Sequence, residues 1–112
     1  MTGLTVDVET TPDGVVVIRP HGNVGPGDAG ELRRTLVYAV RRIRPVRLVL
    51  DLHDVTDLDP LNLGALAAAC HLGDDQHVPV FLEHCSTVLA GLLSAAGVPH
   101  HRLRRQQPKN SS

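Results

Sequence analysis

The sequence predicts one small α/β domain with the element order β-β-α-β-α-β-α-(β), and three observations carry that prediction. Leu48, Val49 and Leu50 form an unbroken apolar run that stops at Asp51, which suits a strand buried on both faces of a mainly parallel sheet. After a polar loop comes Asp59-Pro60, an N-cap with proline at the first helical position. Leu63, Leu66, Ala67 and Cys70 then recur at the spacing of one buried helical face. With 112 residues the chain is long enough for one modest core.

The remaining elements follow in order. Leu4, Val6 and Val8 alternate with polar residues, as a half-buried edge strand does. Pro12-Asp13-Gly14 is a turn signal, and Val15 to Arg19 reads as the returning strand. Pro20 to Gly27, rich in glycine and proline, reads as loop. Ala29, Leu32, Leu36, Val40 and Ile43 step by three and four, which marks an amphipathic helix that Pro45 ends. Its arginines (Arg33, Arg34, Arg41, Arg42, Arg44) crowd the opposite face. Gly73 stands where a C-terminal cap ends the second helix. Val78 to Leu82 is another apolar strand. Ser86 caps a third helix with Leu89, Leu92, Leu93 and Ala96 turned inward, stopped by Gly97 and Pro99. His101 to Arg104 adds a short last strand. The expected domain is 1–104, with 105–112 a disordered polar tail.

Composition excludes several classes. Trp is absent and Tyr38 and Phe81 are single examples of their types, so the stacking platform of a single-strand nucleic-acid binder is missing. A formal net charge of −1 creates no large field toward DNA or an anionic membrane. No run approaches the roughly 20 apolar residues of a membrane span. The start, MTGLTVDVE, has neither a charged n-region nor an apolar h-region, so a cytoplasmic setting is expected, with Cys70 and Cys85 as free thiols. The arginine face of the first helix reads as a solvated outer face, since aromatics are scarce and total charge is balanced.

Candidate chemistry is thin. Asp51, Asp54, Asp57 and Asp59 lie within nine residues, yet the glycine and glutamate of a calcium loop are absent. They read as a cap and solvated loop charges. Seven histidines are present (His21, His53, His71, His77, His84, His100, His101), none in the paired helical spacing of a zinc protease. Cys70-His71 and His84-Cys85 form a zinc set only if neighbouring side chains converge, which adjacent residues seldom do. Neither a nucleophile elbow nor a glycine-rich phosphate loop occurs. The expectation is a non-enzymatic protein with no cofactor and no metal. His53, in the loop after the central strand, is the histidine best placed to touch a partner.

The segment RLVLDLHDVTDLDPLNLGAL (residues 47–66) resembles the STAS domain, the fold of the anti-sigma factor antagonists. That family usually carries Asp-Ser-Ser-Gly-Leu-Gly or Asp-Ser-Thr-Gly at the helix start, and an anti-sigma factor kinase phosphorylates the second hydroxyl. Here Asp59, Leu63 and Gly64 stand in register, Pro60 and Leu61 occupy the hydroxyl positions, and Asn62 replaces the first glycine. A second resemblance lies at Gly22-Asn23-Val24-Gly25 followed by Ala29 and Leu32, where the family often reads Gly-Glu-Leu-Asp and Gly25 stands at the aspartate.

The resemblance implies the STAS fold, a mixed β-sheet of four to five strands with helices packed mainly on one face. It implies a partner of the serine-kinase anti-sigma type, bound through Gly22, Asn23, Gly25, His53, Thr56, Asp57, Leu58, Asp59, Pro60, Leu61 and Asn62. With leucine at the phosphoacceptor position, the usual switch is absent. Thr56 is the one hydroxyl in the central loop. A homodimer is compatible with this reading; nucleic acid and membrane are not expected partners. The alternative is a scaffold or sensor subunit of a stressosome-like, lipid-transport or anion-transport assembly.

Overall fold

The computed structural model describes residues 4–105. Its main sheet has five strands in the order β1-β2-β4-β6-β7. These are β1 (Val6–Thr10), β2 (Val15–Pro20), β4 (Arg47–Asp51), β6 (Val80–Cys85) and β7 (Leu103–Arg105). Only the β1–β2 pair is antiparallel; the other three pairs are parallel. Two further strands, β3 (Gly22–Val24) and β5 (Val55–Leu58), pair in parallel as a separate small sheet. The helices are α1 (Ala29–Tyr38), α2 (Pro60–Gln76) and α3 (Thr87–Ala95).

Register places the apolar rows. Val16, Leu48 and Val80 face one way beside Ile18, Leu50 and Leu82, and all six are essentially inaccessible. Leu32, Leu36 and Val40 from the α1 side, Leu63, Leu66, Ala67 and Cys70 from α2, and Leu93 from α3 complete this core. Each fully buried Leu or Val contributes about 1.5–3 kcal/mol. The opposite row holds Val17, Val49 and Phe81. Arg47, Arg102 and Arg104 stack over the Phe81 ring at 5.7, 5.1 and 4.8 Å from its centroid, so cations and their aliphatic stems cover that apolar spot.

Several expectations need correction. Pro20 to Gly27 is not all loop, because Gly22–Val24 pairs with Val55–Leu58 across the polar stretch after Asp51. Three- and four-residue strands show too little periodicity to be read from sequence. Gly73 lies inside α2, which runs on to Gln76 and ends with His77 in the left-handed conformation (φ 62°). Ile43 is 44% exposed, because α1 passes into a π turn over Ala39–Ile43, closed by the Arg44 N–H donating to Ala39 O at 2.9 Å. In α3 the buried positions are Ala90 and Leu93; Leu92 is 47% exposed and Ala96 is exposed. β1 is mostly exposed at its outer edge, Val8 included. His101 sits in a short 3-10 turn, and β7 takes in Arg105, the first residue of the expected tail. The rest of that tail, 106–112, lies outside the described residues.

Candidate functional site

The small β3–β5 sheet delivers the chain to the start of α2. Asn23 pairs with Asp57 and Val24 with Leu58, with a register shift after Gly22. Gly22 has φ 75°, a conformation glycine adopts at no steric cost, and its N–H donates to Asp54 O at 2.9 Å. Asp59 caps α2: its carboxylate accepts from Leu61 N–H at 3.0 Å, and Pro60 fills the first helical position. The Asp59 N–H donates to Val24 O at 2.9 Å, which joins the cap to β3.

Asn62 is a correction. It has no accessible surface, so it is not part of a docking surface. Its side-chain nitrogen donates to Val24 O at 3.2 Å and Gly25 O at 2.9 Å, tying the first turn of α2 to β3 and the loop after it. Its Oδ1 is buried without a partner. Leu58 is also buried, in the core. Gly25, which has no side chain to offer a partner, donates its N–H to Asp28 Oδ2 at 2.9 Å.

The other candidates remain accessible. Asn23, His53, Thr56, Asp57, Pro60 and Leu61 are exposed, and Gly22, Gly25 and Asp59 are half-buried. Leu61 is 62% exposed and borders a groove between α1 and α2 whose floor is Ala29, Gly30, Gly64, Ala65 and Ala68. On the other side of the α2 start, Val55, Thr56, Asp57 and Leu58 border a second groove with Val88 and Leu92 of α3. The sequence expectation turned Leu92 inward and so missed this apolar wall.

Histidines and carboxylates meet at the carboxyl ends of β2 and β4, an arrangement the surface-histidine expectation missed. His21 presents Nε2 to Asp7 Oδ2 at 2.8 Å and Nδ1 to Asp54 Oδ2 at 3.0 Å. Only imidazolium donates from both nitrogens. The Asp7 hydrogen bond above all, with the charges of Asp7 and Asp54, lifts His21 above 6.5 against partial desolvation. The His53 hydrogen bond holds Asp54 below its ordinary carboxylate value, and His21 adds to the effect. Asp51 accepts from Arg19 Nε at 3.0 Å, His84 Nδ1 at 2.8 Å and the His53 N–H at 3.0 Å. Burial pushes that carboxyl up, yet the three donors outweigh it and hold Asp51 low. His84 reaches Asp51 from a bulge in β6 where it adopts φ 61°.

These shifts fix the sign of a pH dependence. His21 is raised on folding, so its contribution is full below about pH 6.5 and is lost as pH climbs through the folded value. Asp51 and Asp54 are depressed, so theirs is present above about pH 4 and lost on acidification. Urea unfolding across a pH series is expected to show stability falling as pH rises above about 6.5 in the wild type. In His21→Gln that alkaline decline is expected to shrink while the acid limb remains. An unchanged alkaline limb in the variant would contradict the assignment.

Among the described residues, no group of three or more His, Cys, Asp or Glu converges as a metal site. Burial pushes the Cys70 and Cys85 thiols up to about 11, so both stay protonated and weakly nucleophilic near neutral pH. No helix among the described residues is long and apolar enough to cross a membrane.

Comparison with known proteins bears on what such a surface does. No curated protein matches the sequence. The anti-sigma factor antagonist SpoIIAA in its unphosphorylated form is 13% identical, with TM-score 0.70, over 80% of this chain and 82% of that one. The Bacillus cell fate determinant SpoIIAA in the phosphorylated form is 12% identical with TM-score 0.75, covering 96% of both chains. The murine anion transporter Slc26a9 in its inward-facing state is 14% identical with TM-score 0.68, over 96% of this chain but only 21% of the transporter. At these identities the likeness concerns the fold. The sequence model of one family, described as the STAS domain, matches residues 6–103, and this chain therefore belongs to the STAS domain family.

Proposed function

We propose that this chain is a non-enzymatic, protein-binding regulator that acts as an anti-sigma factor antagonist without a phosphorylation switch. Its partner is an anti-sigma factor of the serine-kinase type, bound in the cytoplasm. The observation that carries this reading is Leu61: a large apolar side chain, 62% exposed, on the first turn of a capped helix and beside a groove floored by small residues. A partner side chain laid over Leu61 enters that groove between α1 and α2, while Asp57, Thr56 and Asn23 supply the polar rim. SpoIIAA has been solved in phosphorylated and unphosphorylated forms. A phosphate adds about −1.5 to −2 charges at such a contact and disfavours an apolar partner surface through the cost of desolvating it. Leu61 has no oxygen to accept one, so occupancy follows abundance and competition.

The test is calorimetry with purified serine-kinase anti-sigma factors, followed by intact-mass analysis after incubation with ATP. A complex is expected, with no added phosphate at residue 61. Losing a Leu61 side chain covered in the complex would cost about 1.5–3 kcal/mol, so Leu61→Asp is expected to weaken binding by about ten- to a hundredfold. Unchanged affinity in Leu61→Asp would remove the contact. Failure to bind any such kinase, with stable capture by a transport complex instead, would favour the scaffold alternative.

A further inference from the structure

The α1–α2 groove that Leu61 borders reaches Arg33, and Arg33 also lines a second cleft, on the outer side of α1. That cleft, of about 780 Å³, is formed by Arg33, Arg34, Val37, Tyr38, Arg41, Arg42 and, from the end of α2, Gln76. No carboxylate lines it. Among the described residues none of these four arginines makes an ion pair; Arg19 and Arg102 are the arginines that do. A chain of net charge −1 thus gathers four uncompensated guanidinium groups on one side.

Helical spacing brings them together. At about 100° per residue, Arg34 and Arg41, seven apart, fall within about 20° of each other around a regular helix. Arg41 and Arg42 lie on the wider turn at Ala39–Ile43 that continues α1. Tyr38, 60% exposed, stands among the cations. Gln76 accepts from Arg44 through its side-chain and main-chain oxygens, at 3.0 and 2.9 Å, which anchors the rim of the cleft to the end of α2. The solvated-face expectation did not foresee that one of the two aromatic residues stands among these arginines.

We propose that this cleft receives a carboxylate-rich segment of a partner protein. Guanidinium forks match carboxylates two bonds at a time, and exposed Tyr beside Arg is the composition of energetic centres in protein interfaces. The cationic stretch from Arg33 to Arg42 rises about 14 Å along the helix, a length suited to a short acidic segment. An extended polyanion, such as a nucleic acid or a membrane, meets the whole weakly acidic molecule; a short segment meets the cleft alone, because screening cuts off charges beyond about 8–10 Å.

The probe is a fluorescein-labelled peptide of alternating Glu and Leu turns, titrated by anisotropy at about 150 mM salt. Saturable binding is expected in the wild type. Arg34→Ala with Arg41→Ala removes two exposed pairs and is expected to weaken it about tenfold. Arg47→Ala with Arg104→Ala removes the same charge from the sheet face and is expected to change it less than about twofold. Leu61→Asp is expected to leave this binding intact, which separates the outcome from that of the docking turn. Absence of saturable binding overturns the proposal, as does equal weakening by both arginine pairs. Tighter, competing binding of transfer RNA or of phosphatidylserine vesicles at the same arginines also overturns it. Circular-dichroism melts confirm that the exposed substitutions leave the fold in place.

Discussion

Gly73→Ala is expected to destabilise the domain by about 2–3 kcal/mol, lowering Tm by about 10–20 °C. A Cβ at Gly73 would lie 2.4 Å from Val78 O and 2.6 Å from Val80 Cγ2, and the first of these is main chain. The clash cannot be relieved by a side-chain rotation, since the Val78 N–H donates to Gly73 O at 2.8 Å and locks the end of α2 to the start of β6. Alanine gains about 1 kcal/mol of helix propensity over glycine, so the overlap must exceed that gain. Gly64, in the same helix, is the control: a Cβ there meets nothing within 4 Å. Gly64→Ala is therefore expected to be neutral or stabilising by up to about 1 kcal/mol. Thermal melts of the pair decide it; a Gly73→Ala protein as stable as wild type would mean that the strand yields freely.

Asp51→Ala is expected to cost about 2–4 kcal/mol by urea denaturation. Asp51 is only 7% exposed and accepts three hydrogen bonds from three directions. Removal leaves the Arg19 guanidinium and the His53 N–H facing an apolar gap at the carboxyl end of β4. Asp51→Asn keeps the volume and one oxygen and is expected to cost less. Because the carboxylate is buried, the loss is expected to change little with added salt, unlike that of a surface pair. A cost below about 0.5 kcal/mol would class the network with screened surface pairs.

The core was readable because its pattern repeats. Leu32, Leu36 and Val40, then Leu63, Leu66, Ala67 and Cys70, follow helical spacing and are all buried. What escaped depends on partners distant in sequence. Gly22–Val24 and Val55–Leu58 become strands only because each finds the other. Gly73 reads as a helix terminator, yet its bare Cα serves close packing against Val78. Leu92 fits an inward stripe on paper, but α3 is short and Ala90 with Leu93 takes the buried side.

The site was legible in part. The cap at Asp59 and the exposed Leu61 follow from local rules, and the STAS fold followed from the motif around them. Asn62, by contrast, reads as a polar surface residue in the first turn; its burial depends on Val24 and Gly25 carbonyls nearly forty positions earlier. The meeting of His21, His53 and His84 with Asp7, Asp51 and Asp54 likewise rests on strand order, which spacing along the chain does not reveal.

The two Asn62 hydrogen bonds bear on the thermodynamics of recognition. They hold the first turn of α2 against β3 before any partner arrives, so the helix start has little backbone freedom left to surrender on association. Segments that must order on contact show large unfavourable entropy and lose several kcal/mol of their gross interaction. A pre-organised turn escapes most of that loss. In the complex proposed above, association would then be governed by shape and desolvation around Leu61, with a modest negative heat-capacity change set by the apolar area covered.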